Sequence, residues 1–179
     1  MLLSRFVFII FVILSLTFLS TTCVTHSDNT PLKKFQIAFY NVENLFDTIN
    51  DPSINDEDFL PTSKKEWNSK KYFEKLKNLA AVIDSLKPGL LAPEIVGLCE
   101  VENKTVVEDL INQPNLKANN FKIAHFDSPD ARGIDVACLY NSNLFSLKSS
   151  RKISITNDMD TNFKTRDILF CEFNHKTTN

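Results

Sequence analysis

Asn41 and Glu100 each close a run of strand-like residues, Phe35 to Val42 and Glu94 to Glu100. A carboxamide and a carboxylate at neighbouring strand ends offer hard oxygen donors, which suit Mg²⁺, Mn²⁺ or Ca²⁺. Neither residue carries much weight alone, because a strand-terminal Glu is more often a solvated rim residue. By type and spacing the pair is compatible with a metal site, but a polar rim is the commoner outcome.

The remaining chemistry-bearing residues read as structural. Cys99, Cys138 and Cys171 each lie in an apolar run, and their odd number and wide spacing match neither a disulfide framework nor a zinc pattern. They read as small buried hydrophobes. His26 lies in a polar stretch. His125 lies in a strand, where a half-buried, hydrogen-bonded imidazole is the usual outcome.

The elements that must position Asn41 and Glu100 follow from periodicity. Phe35 to Val42 reads as a strand with Ile37, Phe39 and Asn41 on one face. Residues 44–61, with Asp47, Asp51, Asp56, Glu57 and Asp58, read as a long acidic surface loop. From Glu66 to Leu86 the period changes: Phe73, Leu76, Leu79, Ala80, Ile83 and Leu86 recur at three and four, which predicts an amphipathic helix. Ser63 with Glu66 fits a capping box, and Pro88-Gly89 a stop. Glu94 to Glu100 predicts a strand with Val96, Leu98 and Glu100 on one face. Thr105 to Ile111 predicts a short helix. Phe121 to Phe126, Gly133 to Tyr140, Phe145 to Ile155 and Ile168 to Phe173 predict strands. Tyr140 reads as core. Two helices among six strands predict a layered α/β or α+β sheet domain.

Four local sequences then make a pattern. Phe39-Tyr40-Asn41-Val42-Glu43-Asn44-Leu45-Phe46-Asp47 resembles the opening motif of the endonuclease/exonuclease/phosphatase superfamily. Gly97-Leu98-Cys99-Glu100-Val101-Glu102-Asn103 is similar to its second motif, with Cys99 where Gln is common. Ser128-Pro129-Asp130-Ala131-Arg132-Gly133-Ile134-Asp135-Val136-Ala137 resembles the third, and Thr165-Arg166-Asp167-Ile168-Leu169 the fourth. Four blocks in order are a specific match where one would not be.

The resemblance implies a partial DNase I-like four-layer α/β sandwich, with residues 35–179 as the N-terminal half of the domain. It implies Glu100 as metal ligand, and Asn41 as the partner that positions the metal or a phosphate oxygen. Mg²⁺ or Mn²⁺ is the implied ion. Arg166 is the implied phosphate contact, since a guanidinium forks onto two oxygens. Arg132 reads either as a substrate contact or as a turn residue before Gly133. Asp127 and Asp135 read as fixing loops or pairing Arg132. His175 superficially resembles the family's later Asn-His-Trp block, but Lys176 replaces the aromatic, and the residue reads as a hairpin turn. The family's Asn-His, Gly-Asp-Phe-Asn and Asp-His blocks are expected after residue 179. A hydrolytic water needs a general base, and losing the later strands would expose an apolar face and an unpaired edge, so this chain alone is expected to be inactive and poorly soluble. The expected substrates are phosphoesters: DNA or other nucleic acid, phospholipid or a small phosphoester.

The first residues imply export. Arg5, the apolar run Phe6 to Leu19 and the small polar residues after it have the order of a signal peptide over residues 1–22. The run is short for a membrane span, which needs about 20 apolar residues. Cys23 stands where a lipoprotein is lipidated, although Leu19-Ser20-Thr21-Thr22 is an imperfect lipobox. A lipid-anchored envelope protein and a secreted one both fit, and residues 23–34 read as a tether. Net charge is −2, and a chain starting after residue 22 has 19 basic against 22 acidic residues. That excludes a generic basic coat for nucleic acid, though a metal can supply positive charge locally. The rival reading is a non-enzymatic exported lipoprotein or degenerate binding module that keeps the half-fold.

Overall fold

The computed structural model describes residues 34–87, 89 and 92–176. The signal segment, Cys23, His26, Pro88 and the tether up to residue 33 lie outside the described residues. Among the described residues no helix is long and apolar enough to cross a membrane.

Among the described residues six strands and three α-helices follow in order: β1 (Ile37–Leu45), α1 (Ser69–Ser85), β2 (Ile95–Val101), α2 (Lys104–Ile111), α3 (Pro114–Lys117), β3 (Phe121–His125), β4 (Asp135–Asn141), β5 (Phe145–Ile153) and β6 (Ile168–His175). A four-stranded sheet has the order β1-β2-β4-β3, and β5 and β6 form a second sheet. Strand β1 runs parallel to β2, while β4 is antiparallel to both β2 and β3. The expected mixed α/β class is therefore present.

Period-two alternation gives the main sheet two apolar faces. Val96, Leu98, Ala137 and Leu139 join Leu76, Leu79, Ile83, Val106, Val107 and Leu110 from the helices in the larger core. Ile95 and Tyr140 face the other way and pack with Phe145, Cys138 and Phe173. The Tyr140 ring lies 5.0 Å from that of Phe173, as a core residue should. The layers are thus helices, four-stranded sheet and two-stranded sheet.

Several expectations need correction. Helix α1 starts three residues late: Glu66 has φ +47, and Asn68, not Ser63, is the cap, its Oδ1 accepting from the Lys71 amide at 3.2 Å. The cause is Trp67. It donates through Nε1 to the Phe46 carbonyl at 3.1 Å and through its amide to Leu60, which closes residues 60–67 into a loop. Tyr72 takes the buried place expected of Phe73, which is 54% exposed. The acidic loop is not all surface: Phe46 and Asp56 are buried, and Glu57–Phe59 forms a 3-10 turn. His175 is no turn residue. It pairs with Phe145 inside the β5–β6 ladder and stacks on Phe35. The short helix α3, started by Pro114, was not expected. Asn68→Ala removes one cap bond, and thermal unfolding should show a loss of about 1 kcal/mol.

Candidate metal and phosphate site

The site forms where β2 ends beside the start of β4, because two irregularities fall together. Asn41 pairs with Cys99, and pairing then resumes only at Leu45 with Val101. Val42, Glu43 and Asn44 of β1 thus stand opposite Glu100 alone. The surplus is absorbed by left-handed backbone at Glu43 (φ +54), Asn44 (φ +60) and Glu100 (φ +66). Such conformations cost on the order of 1–3 kcal/mol each in non-glycine residues and gather at functional sites. The bulge also corrects the predicted face of Glu100. Val101, not Glu100, continues the buried row of Val96 and Leu98, and Glu100 turns out of the helix-side core.

Local groups hold these bulges. Asn41 Oδ1 accepts from the Glu43 amide at 2.8 Å, so it braces the β1 bulge directly. Lys75 of α1 donates to the carbonyls of Glu43 (2.5 Å) and Asn44 (3.2 Å). Burial lowers the Lys75 pKa against the opposing pull of Glu43 and Glu100.

Charge converges on Glu100 from two loops. Arg166 Nη1 lies 3.5 Å from Glu100 Oε1, and its Nε lies 3.9 Å from Asp130 Oδ2. Asp130 is 8% exposed and also pairs with Arg132, through Nε and Nη2 at 3.2 Å each. Burial alone would raise the Asp130 pKa, but the Arg132 hydrogen bonds and the charges of Arg132 and Arg166 outweigh it and hold the carboxyl below its usual range. The structure brings Glu100, Arg166 and Arg132 together around Asp130. Asp130 itself was missed among the candidates, and so was Lys75. The signal for Asp130 was its place two residues before Arg132, the spacing of an aspartate turn.

Asp135 is the anchor of the 126–134 loop. Its Oδ1 accepts from the Ser128 amide (2.8 Å) and hydroxyl (2.6 Å), and its Oδ2 pairs with His125 Nε2 at 3.0 Å. It does not pair Arg132. His125, Asp127 and Asp135 bring one ligand atom each within 4.8 Å of one another. However, Asp135 is already engaged by three donors and the Asp127 side chain is 93% exposed, so the group is a loop brace first.

The Glu100 carboxylate fits a hard divalent ion: it offers oxygen donors, its side chain is 16% exposed, and its ion pair with Arg166 is long. Glu100 would hold the ion directly, and Asn41 is a positioning residue through the bulge.

A cavity of about 500 Å³ opens beside Asp130, walled also by Asp51, Glu102, Asp127 and Asp135, with Lys164 as its basic member. Glu102 has its pKa pushed up to about 7 by burial, which the Asp47 amide opposes and the charges of Asp47, Asp56 and Asp51 reinforce. The folded protein therefore keeps this proton up to about pH 7, while an unfolded chain releases it near 4.5. Stability should fall as pH rises through that window. In metal-free buffer, Glu102→Gln should flatten the fall, as read by urea unfolding at pH 5 and pH 8.

No curated protein matches the chain. The model of the endonuclease/exonuclease/phosphatase family matches residues 36–178, most of the chain and all four motif blocks. With Glu100, Arg166 and Asp130 gathered at one sheet end inside that match, the chain belongs to the endonuclease/exonuclease/phosphatase family.

Proposed function

We propose that this chain supplies the metal-holding and phosphate-holding part of an exported, divalent-metal-dependent phosphoester hydrolase, with Mg²⁺ or Mn²⁺ as the ion. Its family is one of phosphoesterase-type hydrolases, generally dependent on divalent metal. The observation that carries the reading is the pairing of Glu100 with Arg166 beside Asp130. A bound ion supplies positive charge to a phosphoryl oxygen and a leaving oxygen. Glu100 holds it. Arg166, 30% exposed and paired with Glu100 only at 3.5 Å, is free to fork onto phosphate oxygens. Asp130 holds both guanidinium groups in place, and Lys75 and Asn41 keep Glu100 on its strained bulge. Arg132 is chiefly a loop residue bound to Asp130, with its side chain 55% exposed at the rim.

The proposed activity needs further polypeptide. Neither His125 nor His175 bonds to Glu100, Arg166 or Asp130, so the described residues show no general base at the cluster. The cleft between the two sheets, about 460 Å³, is lined by Phe39, Gly97, Cys99, Cys138 and Phe173 and is open at its edge. Phe39 is 83% exposed there, and the carboxylate of Asp167, 5% exposed, has no hydrogen bond and only an ion pair with Lys152 at 3.5 Å. Further strands carrying a histidine would cover that face. Export rests on Arg5 and the apolar run Phe6 to Leu19. The substrate classes that fit the reading are DNA, phospholipid and small phosphoesters.

An assay of residues 24–179 on these substrate classes with Mg²⁺ tests the reading. We expect background turnover but measurable binding of inorganic phosphate, weakened at least about tenfold by Arg166→Ala, the scale of a lost charge-assisted hydrogen bond. Robust turnover from the chain alone would overturn the need for further polypeptide. Phosphate binding indifferent to Arg166 would favour a binding module of another kind.

A further inference from the structure

The cleft between the two sheets holds thiols that the site at Glu100 does not use. Cys138 of β4 and Cys171 of β6 both line it, and both are half-buried free cysteines. Strand β5 leaves β4 through a tight turn at Asn141 to Leu144, and β6 returns antiparallel to β5, so β6 runs in the sense of β4. Side chains two apart on a strand share a face. Tyr140 and Phe173 meet between the sheets with their rings 5.0 Å apart, and Cys138 and Cys171 each stand two residues earlier. Cα atoms of β4 and β6 come within 8 Å of one another. The two thiols accordingly reach each other, the Cys138 S–H donating to the Cys171 sulfur. That hydrogen bond, with burial, pushes the Cys138 thiol up, and it pulls the Cys171 thiol down against the effect of burial. Spacing along the chain matched no disulfide framework, because the pair arises only where the two sheets pack.

We propose that Cys138 and Cys171 are a disulfide-forming pair that ties the β5–β6 sheet to the four-stranded sheet, with a small-molecule or protein disulfide as oxidant. The bond forms by two exchanges. The Cys171 thiolate attacks one sulfur of the oxidant and expels the other as a thiolate. Cys138 then gives up its proton and attacks the Cys171 sulfur, forming the Sγ–Sγ bond and expelling the second oxidant sulfur. Two protein thiols are oxidised to one disulfide, one oxidant disulfide is reduced to two thiols, and the two protons lost by the cysteines end on the released sulfurs. Arg166 stands two residues before β6, and Glu100 lies on β2, which pairs with β4. The bond would hold the strand that follows Arg166 against the sheet that carries Glu100. Disulfides persist outside the cytoplasm, which suits the proposed export, but the pair stands whether or not Glu100 holds a metal.

Thiol mapping of the full chain tests this. The chain is held with oxidised glutathione in native buffer, and the remaining thiols are alkylated. Trypsin, cutting at Lys33, Lys104, Arg132, Lys148 and Arg166, then places the four cysteines on separate peptides. We expect mass spectrometry to find the Cys138 peptide joined to the Cys171 peptide, with Cys99 alkylated. Cys99→Ser should keep that link and Cys171→Ser should abolish it. The oxidised chain should unfold several degrees higher in Tm than the reduced one, and Cys171→Ser should show no such difference. Cys138 and Cys171 both left alkylated would overturn the proposal. So would the two held only as separate glutathione adducts, or either joined to Cys23 or Cys99 instead. The link is read in the unsubstituted chain, so the result depends neither on a variant's folding nor on hydrolase activity.

Discussion

Asp135→Ala should destabilise the fold by about 3–5 kcal/mol, the scale of breaking one partner out of a buried charged network. Asp135 is 4% exposed. Its loss leaves the Ser128 amide and hydroxyl and the buried His125 ring without their acceptor. The cost has two parts. The buried donors lose a charged acceptor, and alanine opens space at the start of β4 that the neighbours fill only partly. Because Ser128 begins the segment that carries Asp130 and Arg132, the same change should loosen the charge cluster. Urea unfolding measures the first effect, and hydrogen exchange across residues 126–134 the second. Asp135→Asn should lose less, since its carbonyl oxygen still accepts from the Ser128 amide. Equal losses in both variants would mean that the carboxylate's charge, not the space opened by alanine, sets the cost.

Glu100→Gln should leave stability within about 1 kcal/mol and weaken the Mn²⁺ site by more than 100-fold. The stability part follows from the weak geometry of the pair: an ion pair at 3.5 Å to a partly exposed Arg166 contributes about 0–1 kcal/mol. Gln also meets the same left-handed backbone at φ +66, so the strain is unchanged. The binding part follows because a direct anionic ligand is removed, whereas loss of an outer partner alone typically costs about 10–100-fold. Calorimetric Mn²⁺ titration measures it. An unchanged affinity would move the metal away from Glu100.

How much of this was legible depended on whether an interaction was local. Leu76, Leu79, Ala80 and Ile83 recur at helical spacing, and α1 is where they put it. Its start was not legible, because Trp67 reaches back to Phe46 across 21 residues and overrides the local Ser63–Glu66 signal. Strands β2 and β4 followed from alternation, yet alternation could not show that an extra residue enters at Glu100. A bulge is a compromise between two strands, and neither strand alone reveals it. Glu100 and Arg166 were singled out through the motif blocks, and the structure pairs them. Asp130 was quoted within its block but passed over for Asp127 and Asp135, because the pairing that buries it needs Arg166, 36 positions later in the chain. Asn41 stands near Glu100 as expected, but as a brace of the bulge. His175 was taken for a turn because Lys176 replaces the family's aromatic and the Arg166 block is so near, while the β5 ladder runs on through Ser146 and Phe145 to hold His175 extended.

The central claim is that Glu100 is the metal ligand of this site. The most direct test is the anomalous difference density of crystals grown with Mn²⁺ and inorganic phosphate. The account predicts a peak at the Glu100 carboxylate, with phosphate oxygens on Arg166. A peak among His125, Asp127 and Asp135, with Glu100 still paired to Arg166, would contradict it.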